Sequence, residues 1–103
     1  MSAKPTLQSV LDAAGSAVAD ARVATAGPTT SWAHGHQVFA IFDGEGVELR
    51  LDIPIAAAAM KTPDTTVSTR GPDWVRFSPS TLDAHAIDRL TAWFALGYRR
   101  AGE

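Results

Sequence analysis

Two arginines, a tryptophan and a glutamate occupy matching positions in two alternating segments. In Val47-Glu48-Leu49-Arg50-Leu51-Asp52 apolar and charged residues strictly alternate, as a half-buried strand requires. Trp74-Val75-Arg76-Phe77-Ser78 repeats the pattern. As strands of one sheet they would turn Val47, Leu49, Leu51, Val75 and Phe77 to the core. Glu48, Arg50, Asp52, Trp74, Arg76 and Ser78 would then share the opposite face. Two guanidiniums beside an indole can hold a carboxylate, a phosphate or an acidic segment of a partner. The competing reading is that Glu48 and Asp52 neutralise Arg50 and Arg76 across the strands, leaving a solvated surface. The site depends on Trp74. On the open face it is a large apolar group that binding would cover; on the core face the site dissolves.

His34-Gly35-His36 is the second candidate. Two imidazoles at i, i+2 point the same way from a strand and begin a metal site. A third ligand would have to come from Asp43, Asp52 or His85. The alternative is an exposed loop over residues 32–36, and the expectation is no metal. The chain has no cysteine, which excludes disulfides, thiolate sites and a cysteine nucleophile. No Gly-x-Ser-x-Gly elbow occurs, and Ala14-Gly15-Ser16-Ala17 lacks the second glycine and follows no strand. Asp43-Gly44-Glu45-Gly46 places carboxylates where a phosphate would sit, so it reads as a turn. No cofactor motif is found, and the balance leans away from an enzyme.

These side chains need a scaffold. Thr6 is placed to cap a first helix with Leu7, Val10, Leu11 and Ala14 on one face, and Gly15 is a stop or weak point. A short strand is expected over residues 22–26, closed by Gly27-Pro28. Residues 37–42 are apolar on both parities, the mark of a central strand covered on both sides. Asp43-Gly44 between apolar runs signals a hairpin into residues 47–52. Pro54 suits the first turn of an alanine-rich helix running to Lys61, and Thr62-Pro63-Asp64 stops it. Residues 65–69 read as a polar edge strand whose free side could pair with a second copy of the chain. Ser80-Thr81-Leu82-Asp83 has the spacing of a capping box before the last helix. There Ile87, Leu90, Phe94 and Tyr98, widened by Ala86 and Trp93, form the core stripe. Asp83, His85, Asp88, Arg89 and Arg99 are expected in solvent. Arg99 and Arg100 suit the negative end of the helix dipole.

The expected fold is therefore α+β. It has two layers, with a mostly antiparallel five-stranded sheet and helices on one face, in the order α-β-β-β-α-β-β-α. With 103 residues, 46% hydrophobic and 19% charged, the whole chain, residues 1–103, is expected to be a single domain. Nine basic and eleven acidic residues leave a net charge of −2. That argues against nucleic acid, whose phosphates demand a basic face. No apolar run approaches the ~20 residues of a membrane span. Residues 1–5 lack the pattern of a secretory leader, so the expected location is cytoplasmic.

The landmarks Gly35-His36-Gln37-Val38-Phe39-Ala40, residues 47–51, Gly71-Pro72-Asp73-Trp74-Val75-Arg76-Phe77-Ser78-Pro79, Trp93 and Tyr98 resemble the YjbR/MmcQ-like proteins and the N-terminal domain of TfoX. The resemblance covers about residues 35–101. Leu51-Asp52-Ile53-Pro54 with Asp73-Trp74-Val75-Arg76-Phe77 also looks like the small luciferase-like domain of actinobacterial proteins. The first resemblance implies an α-β3-α-β2-α fold and, through the TfoX and YjbR families, a role near DNA. The Met-Phe-Gly-Gly segment typical of TfoX-like domains is absent; Ser31-Trp32-Ala33-His34 stands nearby. Neither resemblance brings a catalytic motif.

The expectation from these residues is a non-enzymatic interaction or ligand-binding module that uses the polar sheet face. Its candidate residues are Arg50, Trp74, Arg76, Glu48, His34 and His36, and its partner is a protein or a small anion. Two alternatives stay open. One is a cofactor binder or small enzyme with a pocket between the last helix and the sheet. The other is a DNA-associated regulator.

Overall fold

A computed structural model describes residues 6–18 and 20–102. The segment 1–5, read above for a leader, lies outside the described residues. Thr6 caps helix α1 (Leu7–Ser16): its hydroxyl accepts from the Ser9 N–H, and the Ser9 hydroxyl oxygen accepts from the Thr6 N–H. The chain then forms β1 (Ala21–Ala26), β2 (Thr29–His34), β3 (Gln37–Phe42), β4 (Val47–Arg50), α2 (Ile53–Ala59), β5 (Thr65–Val67), β6 (Trp74–Phe77) and α3 (Ala84–Ala101). All the strands join one antiparallel sheet in the order β1-β2-β3-β4-β6-β5.

The fold class is as expected, but the sheet has six strands rather than five. The added strand is β2, which covers most of the segment read as a loop. Its helix-facing residues are Thr30 and Trp32, both buried, and His34, and its other positions are Thr29, Ser31 and Ala33. A threonine in the core row and an alanine outside it blur the period-2 signal. Gly27-Pro28 closes β1 as expected, and it is the two-residue loop of a β1–β2 hairpin. Gly27 has φ of 60° in the first central position, as a II′ turn requires. Gly35, with φ of 63°, does the same between β2 and β3.

The double-parity run in β3 has a local cause. Trp32 pairs with Ala40 but Ala33 pairs with Val38, so Phe39 is one residue too many. Such a bulge turns consecutive side chains to one face. Phe39 and Ala40 are both fully buried, while Val38 is 37% exposed on the far side. The strand is covered by helix on one face only, which corrects the two-sided expectation.

Helix α3 crosses β2, β3 and β4, α1 packs on α3, and α2 lies against β6. Ala86, Leu90, Trp93, Phe94 and Gly97 form its buried stripe. Phe94 meets both Trp32 and Phe39 edge-on, and Trp93 meets Phe77. Three readings are corrected. Asp83 is itself the N-cap of α3, accepting from the Ala86 N–H, rather than the far end of a capping box. Arg89 is not free in solvent; its guanidinium lies over the Phe77 and Trp93 rings. Gly15 is not the residue that stops α1 but lies in its last turn, one residue before the end, where a Cβ would lie 2.7 Å from Trp32 Nε1.

Gly97 governs the closest helix–sheet approach. A Cβ there would stand 3.0 Å from the Arg50 carbonyl oxygen and 3.2 Å from the Phe39 ring. Gly97→Val is therefore expected to cost about 2–3 kcal/mol by overpacking. A melting curve should show a fall of about 4–8 °C per kcal/mol. An unchanged midpoint would mean that α3 is not held at this distance.

Candidate functional site

The register places Trp74 opposite Arg50, and Glu48 opposite Arg76. Val75 and Phe77 are buried in the core, so the alternation of β6 puts Trp74 and Arg76 on the face without helices. The Trp74 ring is partly covered, with the Arg70 guanidinium 5.7 Å from its centroid. Four of the expected residues thus meet on one face, and each charged one already has a partner.

Arg76 forks onto Asp43, with Nη1 2.8 Å from Oδ2 and Nη2 3.3 Å from Oδ1. Asp43 Oδ1 also accepts the backbone N–H groups of Glu45 and Gly46, so one carboxylate both closes the β3–β4 turn and binds the arginine. The hydrogen bond from Arg76 is the largest cause holding the Asp43 carboxyl far below the ordinary range, and the Gly46 N–H adds to it. The pair raises Arg76 in return. Glu48 accepts from Arg70 Nε at 3.1 Å and from the Ser68 hydroxyl.

Arg50 donates from Nε to Asp73 Oδ2 and from Nη1 to Gln37 Oε1, each at 2.9 Å. Arg100, from the last turn of α3, reaches the same Asp73 oxygen at 3.6 Å. Hydrogen bonding from Arg50 is the main cause lowering the Asp73 carboxyl, with the charge of Arg100 a smaller one. The two arginines border an open cleft of about 320 Å³ with Gln37 and Ala101. A neighbouring hollow of about 220 Å³, lined by Asp52, Ile55, Leu96, Arg99 and Arg100, lies beyond Arg100.

The expected neutralising partners are therefore replaced. Asp43 and Asp73 take the roles assigned to Glu48 and Asp52. Asp52 lies past the end of β4 and caps α2 through the Ile55 N–H. Both substitutes sit in turns flanking the strands, at Asp43-Gly44 and Gly71-Pro72-Asp73. Those motifs were legible as turns but not as sources of charge. Arg100 and Gln37 carried no sequence signal for this site, since they come from another layer and another hairpin.

The two histidines separate. His36 is exposed in the β2–β3 turn. His34 ends β2, stacked on Tyr98 at 4.2 Å between ring centroids. Its Nδ1 lies 2.9 Å from the Tyr98 carbonyl oxygen; a carbonyl only accepts, so Nδ1–H is the donor. Among the described residues no three histidine, aspartate or glutamate side chains gather where they could hold a metal. No described helix is long and apolar enough to cross a membrane.

The class these features define is a two-layer α+β domain with one helix-free, ion-paired sheet face. Comparison with known proteins finds no matching family model, curated protein or solved structure.

The lowered carboxyls make stability depend on pH in a stated direction. A group depressed in the fold stabilises it above its unfolded value, near 3.8 for aspartate, and that contribution disappears as pH falls through the folded value. Stability of the parent against urea should therefore fall as pH drops below about 4, and Asp43→Asn should have a shallower acid limb. Asp43 is 42% exposed, so the effect is modest. Equal acid slopes in parent and variant would remove the Arg76–Asp43 pair as the source.

Proposed function

We propose that this chain is a non-enzymatic binding module. It takes the carboxylate or phosphate group of a small anionic ligand at the arginine-bearing end of its open sheet face. The observation that carries this reading is the sharing of one carboxylate by two guanidiniums. Arg50 and Arg100 both turn to Asp73, which among the described residues leaves one positive charge unmatched beside a cleft of about 320 Å³. An anion with two oxygens matches the remaining N–H groups of such a pair. Gln37, whose Oε1 already accepts from Arg50, adds an amide group at the rim. Arg76 and Glu48 are engaged by Asp43, Arg70 and Ser68, so they shape the face rather than hold the ligand. Trp74 flanks Arg50 across the ladder and offers a flat apolar wall beside the charge.

The reading places the ligand at the surface because the helix–sheet interface is occupied. Phe39, Phe77, Trp93 and Phe94 meet there in edge-to-face pairs, which favours a packed core over an internal pocket. The likeness to YjbR/MmcQ-like and TfoX-like domains is kept as a proposal about ancestry. The strand order observed here has one strand more before α2 than those families are expected to have.

Titration of the ¹⁵N-labelled protein with inorganic phosphate and with citrate tests the reading. Saturable shifts are expected at Gln37, Arg50, Asp73 and Arg100, with a dissociation constant of about 1 mM, or about 4.1 kcal/mol. Arg50→Glu and Arg100→Glu should each weaken binding at least about tenfold, or about 1.4 kcal/mol, while Arg76→Gln should leave it unchanged. Shifts that never saturate, or loss only in Arg76→Gln, would refute this site. Binding of a short DNA duplex that falls steeply with salt would favour the nucleic-acid reading instead.

A further inference from the structure

Strand β1 is the outermost strand on one side of the sheet. It pairs with β2 over six consecutive residues with no shift in register. The loop Gly27-Pro28 has two residues, so its flanking pair, Ala26 and Thr29, is a hydrogen-bonded one. Alternation makes Ala24–Ser31 and Arg22–Ala33 hydrogen-bonded too. The N–H and C=O groups of Ala21, Val23 and Thr25 therefore point away from the sheet.

Edge strands are normally blunted by shortness, proline, lysine or a bulge. The opposite edge is blunted in the first way: β5 has three residues, directly after Pro63-Asp64. β1 has none of these devices, and Arg22 is its single charge. Residues 22–26 are exposed throughout. Val23 lies on the row of Trp32, on the helix side of the sheet, yet is 58% exposed.

We propose that β1 is the surface through which two copies of this chain join, antiparallel about a two-fold axis at Val23. In that register Val23 faces Val23 of the second copy, and Ala21 faces Thr25 in both directions. These are the residues whose backbone groups point outward, so every free donor and acceptor of both edges finds its complement. The two-fold also suits the side chains. Val23 gains an apolar neighbour, and Arg22 stands opposite Ala24 rather than against its own copy. The result is one continuous sheet with an isologous interface. A strand pair of this length buries less than the ~1,200 Å² of a standard interface, so the dimer is concentration-dependent. The self-pairing read at residues 65–69 thus moves to the other edge. The inference rests on β1 alone and not on the arginine cleft.

Sedimentation equilibrium of the full chain from micromolar to millimolar concentration tests it. A monomer–dimer equilibrium is expected. Val23→Pro removes an N–H that β2 does not use and should raise the dissociation constant at least about tenfold. Val23→Lys, which leaves the backbone intact but sets like charges across the axis, should do the same. Amide hydrogen exchange supplies a readout without substitution. Ala21, Val23 and Thr25 should become protected as concentration rises, while Arg22, Ala24 and Ala26 are protected throughout. A monomer at every concentration overturns the proposal. So does a dimer that survives both variants with those three amides still exchanging freely.

Discussion

Helix α3 comes close enough to the sheet at Gly97 that the backbone of β4 and the ring of Phe39 fill the space a side chain would need. The rest of the molecule depends on that approach. It lets Phe94 reach both Trp32 and Phe39, which ties β2 and β3 into a single core. One residue further along, Tyr98 stacks on His34 and its carbonyl takes the imidazole N–H. Three residues further, Arg100 arrives beside Asp73 and Arg50. The glycine lowers intrinsic helix propensity by ~1 kcal/mol relative to alanine, and the packing it permits offsets that cost. The same contact that closes the core therefore brings a second guanidinium to the edge of the open face.

The polar face is organised by turns rather than by its strands. Asp43 and Asp73 sit at opposite ends of the β4–β6 ladder, and each takes an arginine from that ladder. All four side chains are partly exposed, so each pair contributes little to stability in salt-containing water. Their effect is positional. Asp43 is held by two backbone N–H groups before it meets Arg76. Gly46 is buried against Arg76 and Ser78, where a side chain would crowd the guanidinium. Two ion pairs at the ends and the Arg70–Trp74 contact at the edge hold the face in one arrangement. A face with side chains already ordered loses less entropy when it binds.

Much of this was legible along the chain, and the failures have physical reasons. The alternation in residues 47–52 and 74–78 identified the two strands and which side chains share a face, because period 2 is a local property of the extended backbone. The same alternation left the side of Trp74 open until the ladder placed Val75 and Phe77 in the core. β2 was missed because Thr30 is buried and Ala33 is not, an inversion that only neighbouring strands and α3 impose. The both-parity run in β3 was visible, but its cause, a bulge opposite Trp32 and Ala33, requires two strands to be in register. His34 and His36 share a spacing that suits metal only if both lie on one strand, and Gly35 turns the chain between them.

The sequence by itself determined the class of fold, the helix cap at Thr6, the hairpin at Asp43-Gly44 and which side chains of the two alternating strands share a face. These follow from interactions spanning a few residues. Tertiary structure decided which carboxylate neutralises which arginine. Arg50 meets Asp73 across 23 residues, Arg76 meets Asp43 across 33, and His34 meets the Tyr98 carbonyl across 64. Charge attraction has no sequence period. Glu48, Asp52, Asp43 and Asp73 are equally eligible until the turns, the α2 cap and the docking of α3 fix where each carboxylate can reach.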